Sequence, residues 1–231
     1  MDSVPLWFVE SVIRFNWSPQ DALELAQLSS AWGMQATHFA EHNLSLALFK
    51  REQVRYCFTD ADGRIVDSNI VFQQPSRYIV SVLTGLYSVK EGSLEVTDVE
   101  MKRIQQLLKS SSTPLHTLEI ATVIIDHQWA QRFNEIISAT PFVKTLECDS
   151  FEDFERDLII RHVLNSGSLE RMSTALSGSM DVDWEVTILA WMKTDSFKEF
   201  KCNSETITIL QKKLIVNWAL NDAKRGTLSL S

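Results

Sequence analysis

From Pro114 to the C-terminus one short pattern returns at nearly constant intervals: apolar, two residues, apolar, one residue, apolar. It reads Leu115/Leu118/Ile120, Val143/Leu146/Cys148, Leu169/Met172/Thr174 and Phe197/Phe200/Cys202, with a fainter Leu228/Leu230. Positions 115, 143, 169 and 197 are 28, 26 and 28 residues apart. Alternation over so few residues fits a short strand with one buried face. Each interval also holds a helix-period set: Trp129/Phe133/Ile136/Ile137, then Phe154/Leu158/His162, then Trp184/Ile188/Trp191, then Ile207/Leu210/Leu214/Trp218. A strand and a helix in every period return to the same sheet by a crossover, and such crossovers are almost always right-handed. The expectation for 113–231 is therefore a parallel sheet in which each unit buries its neighbour's face.

Upstream the texture differs. LSLALF, QVRYCFT, RIVDSNIVF and RYIVSVLTGL are β-branched and aromatic runs with partial two-residue alternation, and Asp62-Gly63 is a hairpin signal. They predict an antiparallel meander over 44–112, closed by a helix that Thr97 caps and whose apolar face is Val99, Ile104, Leu107 and Leu108. Ser110-Ser111-Ser112 before Thr113-Pro114 mark the next boundary. At the N-terminus the spacing predicts short helices over 6–15, 20–32 and 34–42, the second entered through Ser18 as N-cap and Pro19 in the first turn. The fold class expected is mixed α+β and α/β: a helical motif over 1–43, a β meander plus helix over 44–112, and a βα repeat domain over 113–231. With 45% hydrophobic residues and only 7 Gly and 5 Pro, the chain can bury a sizeable core, and a disordered reading is excluded.

Two resemblances follow from these residues. Residues 4–32, VPLWFVESVIRFNWSPQDALELAQLSSAW, resemble the F-box: Val4-Pro5 at its Leu-Pro start, Phe8, Val9, Val12 and Ile13 on a first helix, Leu25 and Leu28 on a second, and Trp32 as the closing tryptophan. Ala22 stands where the family has leucine, and Ser29-Ser30-Ala31 lacks its basic residue. The remainder looks like the F-box-associated families of nematodes. The βα periods resemble leucine-rich repeats of the longer kind, although Val123, Phe151, Ser177 and Glu205 stand where the asparagine or cysteine ladder belongs, so an irregular stack rather than a regular horseshoe is expected. The F-box resemblance implies a non-catalytic adaptor without cofactor. Pro5, Leu6, Phe8, Val9, Val12, Ile13, Leu25, Leu28 and Trp32 would bind a Skp-family adaptor, and through it a cullin-RING ubiquitin ligase. The C-terminal stack would hold a target protein close to the ubiquitin carrier, proximity supplying the rate. A scaffold or inhibitor derived from an F-box protein is the alternative within the binding class.

Charge and cysteine usage narrow the partners. The net charge is −8, and no segment forms the basic stripe that neutralising phosphates needs, which argues against nucleic acid. No window approaches eighteen uninterrupted apolar residues, so no membrane partner is expected. Cys57, Cys148 and Cys202 lie far apart in apolar runs, where small buried thiols fit. A reducing cytoplasmic or nuclear compartment is the expectation.

Ligands of parallel α/β sheets gather beyond the carboxyl ends of the strands. That rule directs target binding to Asp126 and His127, Asp149 and Ser150, Asp181, and Asn203, although Asp126, Ser150 and Asp181 equally suit helix capping. Against the adaptor reading stands His38-x-x-Glu41-His42, which has the spacing of inverted zinc peptidases and on a helix sets both imidazoles on one face. No third ligand stands nearby in sequence, so no metal is expected. Asp60-Ala61-Asp62-Gly63 opens like a calcium loop but lacks the later carboxylates, which leaves a hairpin turn.

Overall fold

Amphipathic segments come first in the chain and strand-forming runs after them. In the computed structural model, which describes residues 4–16, 19–50, 53–73, 78–85, 90–110, 114–120, 127–140, 142–148, 163–175, 182–203, 216 and 226–230, helices α1 (Leu6–Asn16), α2 (Pro19–Leu25) and α3 (Ala31–His42) open the chain. The third begins at Ala31, ahead of the expected Met34, and leads directly into β1 (Asn43–Lys50). That strand hairpins into β2 (Val54–Thr59), which turns again into β3 (Ile65–Val66). Asp60 builds the second turn: its carboxylate accepts the backbone N–H groups of Asp62 and Arg64 at 3.0 and 2.9 Å, and Gly63 takes φ 76°. Next come α4 (Ser68–Gln73), β4 (Tyr78–Gly85), β5 (Leu94–Glu95) and α5 (Asp98–Ser110). As expected, Thr97 caps α5, its hydroxyl accepting the Glu100 N–H at 3.2 Å. The chain continues through β6 (Leu115–Ile120), α6 (His127–Ile137), β7 (Val143–Cys148), β8 (Arg171–Ala175), α7 (Val182–Trp191), β9 (Glu199–Asn203) and β10 (Thr227–Leu230).

Among the described residues ten strands join one sheet, ordered β10-β9-β8-β7-β6-β4-β1-β2-β3, with β5 on β2. The parallel sheet expected from the triplets is present from β6 to β10. The meander is corrected in two respects. Only β1, β2, β3 and β5 pair antiparallel, whereas β4 runs parallel to both β1 and β6. Its direction follows from the second correction: Asn69-Ile70-Val71-Phe72, expected as strand, forms the turn and a half of α4. Asp67 starts that helix, its carboxylate accepting the Asn69 N–H at 2.8 Å and its carbonyl the Val71 N–H at 3.1 Å. A local cap thus outcompetes β propensity, and the hairpin plus α4 becomes a crossover that returns the chain parallel to β1. β4 pairs in parallel with β6, so strands of both expected regions belong to one sheet.

One row of side chains explains why so many strands share one register. Leu46, Val82, Leu118, Leu146, Met172 and Phe200 stand side by side across six strands, each at most 1% exposed. Helices cover this row: Ile104 of α5, Phe133 and Ile136 of α6, and Ile188 and Trp191 of α7 belong to the same core. Full burial of each such side chain is worth about 1.5–3 kcal/mol. A one-residue slip would turn the whole row to the other face. Trp191 also fixes the end of the stack, donating its indole N–H to the Leu169 carbonyl at 2.9 Å and meeting the Phe197 ring edge-on at 5.0 Å. Cys148 and Cys202 are buried in this core and Cys57 on the reverse of the sheet, all three as free thiols. The predicted helices over 154–162 and 207–218, and the Ser18 cap, fall on segments that, apart from Val216, lie outside the described residues.

Candidate interaction surfaces

The intervening strand positions give the sheet an unlike second face. Thr117, Thr145, Arg171, Glu199 and Thr227 form one register row, and Glu119, Glu147, Ser173, Lys201 and Ser229 the next, all half-buried or exposed. Glu119 and Glu147 stand directly opposite one another, a like-charge pairing that costs stability within a sheet. Along the strand starts runs a further charged line, where Lys198 pairs with Glu170 at 2.7 Å and Lys144 is held below its ordinary value by burial, with Glu170 opposing that shift. Among the described residues this face is a polar platform of mixed charge.

The N-terminal helices form the second surface. The carbonyl of Pro5 accepts the N–H groups of Phe8 and Val9 at 3.0 and 3.2 Å, so the proline starts α1 where its missing N–H costs nothing. Glu10 and Arg14 pair one turn apart on the same helix. Val9, Ile13, Ala22, Ala36 and Phe39 interlock as a small core of their own, seated on Val80 of β4. Ala22 is 0% exposed, and a larger side chain there would have to displace packed neighbours. Gly33 is required for a related reason: a Cβ on it would lie 1.7 Å from the Leu28 carbonyl oxygen, so only glycine lets the start of α3 approach the turn that follows α2 so closely.

The residues expected to bind an adaptor therefore divide. Pro5, Leu6, Phe8 and Leu28 face outward, and Val12, Leu25 and Trp32 are half-buried. Val9 and Ile13 face inward at 0% and 1% exposure, which corrects their assignment to an interface: they hold α1 on α3. Sequence reasoning missed Trp7, Leu23 and Met34, whose large side chains are exposed on the same three helices. Trp7 stacks edge-on with Phe8 at 6.1 Å. Its position one residue before Phe8, off the inward stripe, is the signal that could have marked it.

Of the expected target-binding residues, Asp126, Asp149, Ser150 and Asp181 lie outside the described residues, while His127 opens α6 and Asn203 closes β9. The peptidase-like histidines do come together: the rings of His38 and His42 stack at 4.1 Å, and His42 Nδ1 lies 2.9 Å from the His38 carbonyl. Burial, and next the neighbouring His42, hold His38 below its ordinary pKa. Glu41 is exposed, and among the described residues no three His, Cys, Asp or Glu side chains gather as metal ligands. Among the described residues no helix is long and apolar enough to cross a membrane. No protein-family model matches the chain, and no curated protein matches it.

Proposed function

We propose that the chain is a non-catalytic adaptor: its N-terminal helices engage a Skp-family protein and thereby a cullin-RING ubiquitin ligase, and its open sheet face holds a target protein. The observation that carries this reading is the set of large apolar side chains that α1 and the turn between α2 and α3 leave exposed. Leu6, Trp7, Phe8 and Leu28 are 52%, 67%, 44% and 51% exposed, although Val9 and Ile13 beside them already satisfy the internal core. Several exposed apolar groups of this size in one N-terminal region mark a surface that another protein covers. The resemblance of residues 4–32 to the F-box names the kind of partner. The polar platform over β6–β10 supports the recognition half, because mixed charge on a rigid sheet discriminates among protein partners more than it contributes raw affinity. Co-expression with a Skp-family protein tests the proposal. The parent chain should co-purify with it, and Phe8→Glu combined with Leu28→Glu should abolish capture at unchanged circular dichroism, because the outward face is not part of the fold's core. Capture by the double variant equal to the parent's would refute the proposal. A parent chain that fails to bind would replace it with the scaffold reading.

A further inference from the structure

A cavity of about 370 Å³ opens between the sheet and helices α2 and α3, in the size range of small-molecule sites. Strand alternation decides which side chains face it. Leu44 and Leu46 of β1, Val82 of β4 and Leu118 of β6 are buried in the main core, so the neighbouring Asn43, Ser45, Ser81 and Thr117 stand on the reverse of the sheet and line the cavity. Ser45, Ser81 and Thr117 are register partners across β1, β4 and β6, which sets their hydroxyls side by side. Between Leu44 and Ser45 the register skips Val80, a bulge that turns Val80 as well as Ser81 toward the helices. The row of hydroxyls therefore lies beside the apolar side chains of Val80 and Ala40, 5% and 8% exposed. Gln20, Leu23 and Ala61, all exposed, form the open rim.

These polar groups are under-used within the protein. Asn43 is 5% exposed, yet among the described residues neither its amide nor the Thr117 hydroxyl makes a hydrogen bond. Native structures rarely leave a buried amide in that state. Ser81 donates to Ser45 at 2.6 Å, which leaves the Ser45 hydroxyl hydrogen for an acceptor. His116 also lines the cavity, but its Nε2 is enclosed and takes no part. No lining residue is an Asp, Glu, Lys or Arg.

We propose that this cavity binds a neutral polyol of monosaccharide size. Each ligand hydroxyl both donates and accepts, which matches the donor and acceptor ends of the Asn43 amide and the hydroxyls of Ser45 and Thr117. The carbon skeleton packs on Val80 and Ala40. Ligands bearing a full charge are excluded, because the lining offers no counter-charge to offset their desolvation. The site does not depend on the adaptor reading, since Asn43 and Thr117 are outside the exposed apolar set and the assay contains no adaptor.

Glucose, galactose, mannose and myo-inositol are the probes. Cyclohexanol keeps a carbon ring with a single hydroxyl, and glucuronate adds a charge. Saturation-transfer NMR on the full chain should give a saturable response for at least one neutral polyol, with cyclohexanol and glucuronate binding about tenfold more weakly. Asn43→Leu and Thr117→Val keep the side-chain volume and remove the polar groups, so each should weaken that polyol about tenfold. Because the Asn43 amide is unpaired in the free protein, Asn43→Leu should also raise the melting temperature, which separates a lost response from lost folding. Should that variant fail to fold, Thr117→Val carries the same test. No saturable response from any polyol, equal binding of cyclohexanol, or full polyol binding by folded variants would each overturn the proposal, and water alone would then occupy the cavity.

Discussion

The N-terminal helices and the parallel sheet bury their apolar residues by opposite strategies. In the sheet, one position per strand goes to the core and its neighbours go to water, so Leu118, Leu146 and Met172 are internal while Glu119, Glu147 and Ser173 are polar. In the helices, small residues do the internal packing. Ala22, Gly33 and Ala36 allow close approach around Val9, Ile13 and Phe39, and larger groups such as Trp7 and Leu28 are left outside. The central row of the sheet is thus buried throughout, with Phe142 and Val186 left exposed beside it, whereas the helical region concentrates large exposed apolar side chains at Leu6, Trp7, Phe8, Leu23, Leu28 and Met34. Hydrophobicity read from sequence therefore means different things in the two regions: the strand triplets report the core, and in the helices it reports the core plus a surface.

The largest expected effect tests the first half of that contrast. Leu118 is 0% exposed at the middle of the row that spans six strands. Leu118→Ala should lower the unfolding free energy by about 2–5 kcal/mol, the range for truncating a fully buried leucine. Urea denaturation reads it directly. A loss below 1 kcal/mol on that scale would mean that the row collapses freely around a void, and that it is not the registering element described above.

The next effect concerns the junction between the two regions. His116 contacts Phe39 of α3 edge-on at 6.4 Å, and burial, followed by the charge of Lys144, pushes its pKa from the ordinary 6.5 down to about 4. The Arg14 carbonyl, Glu170 and Asp21 oppose that shift. Because the folded state resists protonation, the unfolded chain binds more protons between those values, and stability rises with pH there. The contribution is complete above about pH 6.5 and falls away as the pH drops toward 4, amounting to about 3 kcal/mol in full. His38, lowered by burial and His42, adds in the same direction. His116→Phe should flatten the melting temperature between pH 7 and 4.5 relative to the parent. An equally steep acid limb in that variant would assign the pH dependence to carboxylates instead.

How much of this was legible beforehand differs between the same two regions. The triplets at 115, 143, 169 and 197 located four strands of the parallel sheet, because burial on one face leaves a two-residue period that composition cannot hide. The direction of β4 was not legible: a strand's own sequence does not record whether its neighbour is parallel, and the deciding feature was the capped turn at Asp67. Thr97 and Asp60 were readable since their side chains bond to backbone a few residues away. The division of α1 into Val9 and Ile13 inside and Leu6, Trp7 and Phe8 outside was not, because an amphipathic helix of eleven residues with apolar groups on two sides has no unique inward stripe. His116 escaped notice for a related reason: its burial, with a ring nitrogen left without a hydrogen-bond partner, depends on packing against Phe39, a residue far away in the chain.

The smallest expected effect is the one that sharpens the comparison most. If Leu6 and Leu28 serve a partner and not the fold, Leu6→Ser and Leu28→Ser should change the unfolding free energy by no more than about 0.5 kcal/mol, as for ordinary surface substitutions. The same change at Ile13, 1% exposed in the helical core, would bury an unpaired hydroxyl and leave a void, so it belongs with Leu118 in magnitude. Solubility should move in the other direction: removing two apolar side chains of 52% and 51% exposure from the N-terminal region should reduce self-association. Light scattering at rising concentration, beside urea denaturation of the same samples, separates these effects. A clear loss of stability in the outward variants would show that those leucines support the fold after all, and the contrast between a self-sufficient sheet and a partner-dependent helical surface would not stand.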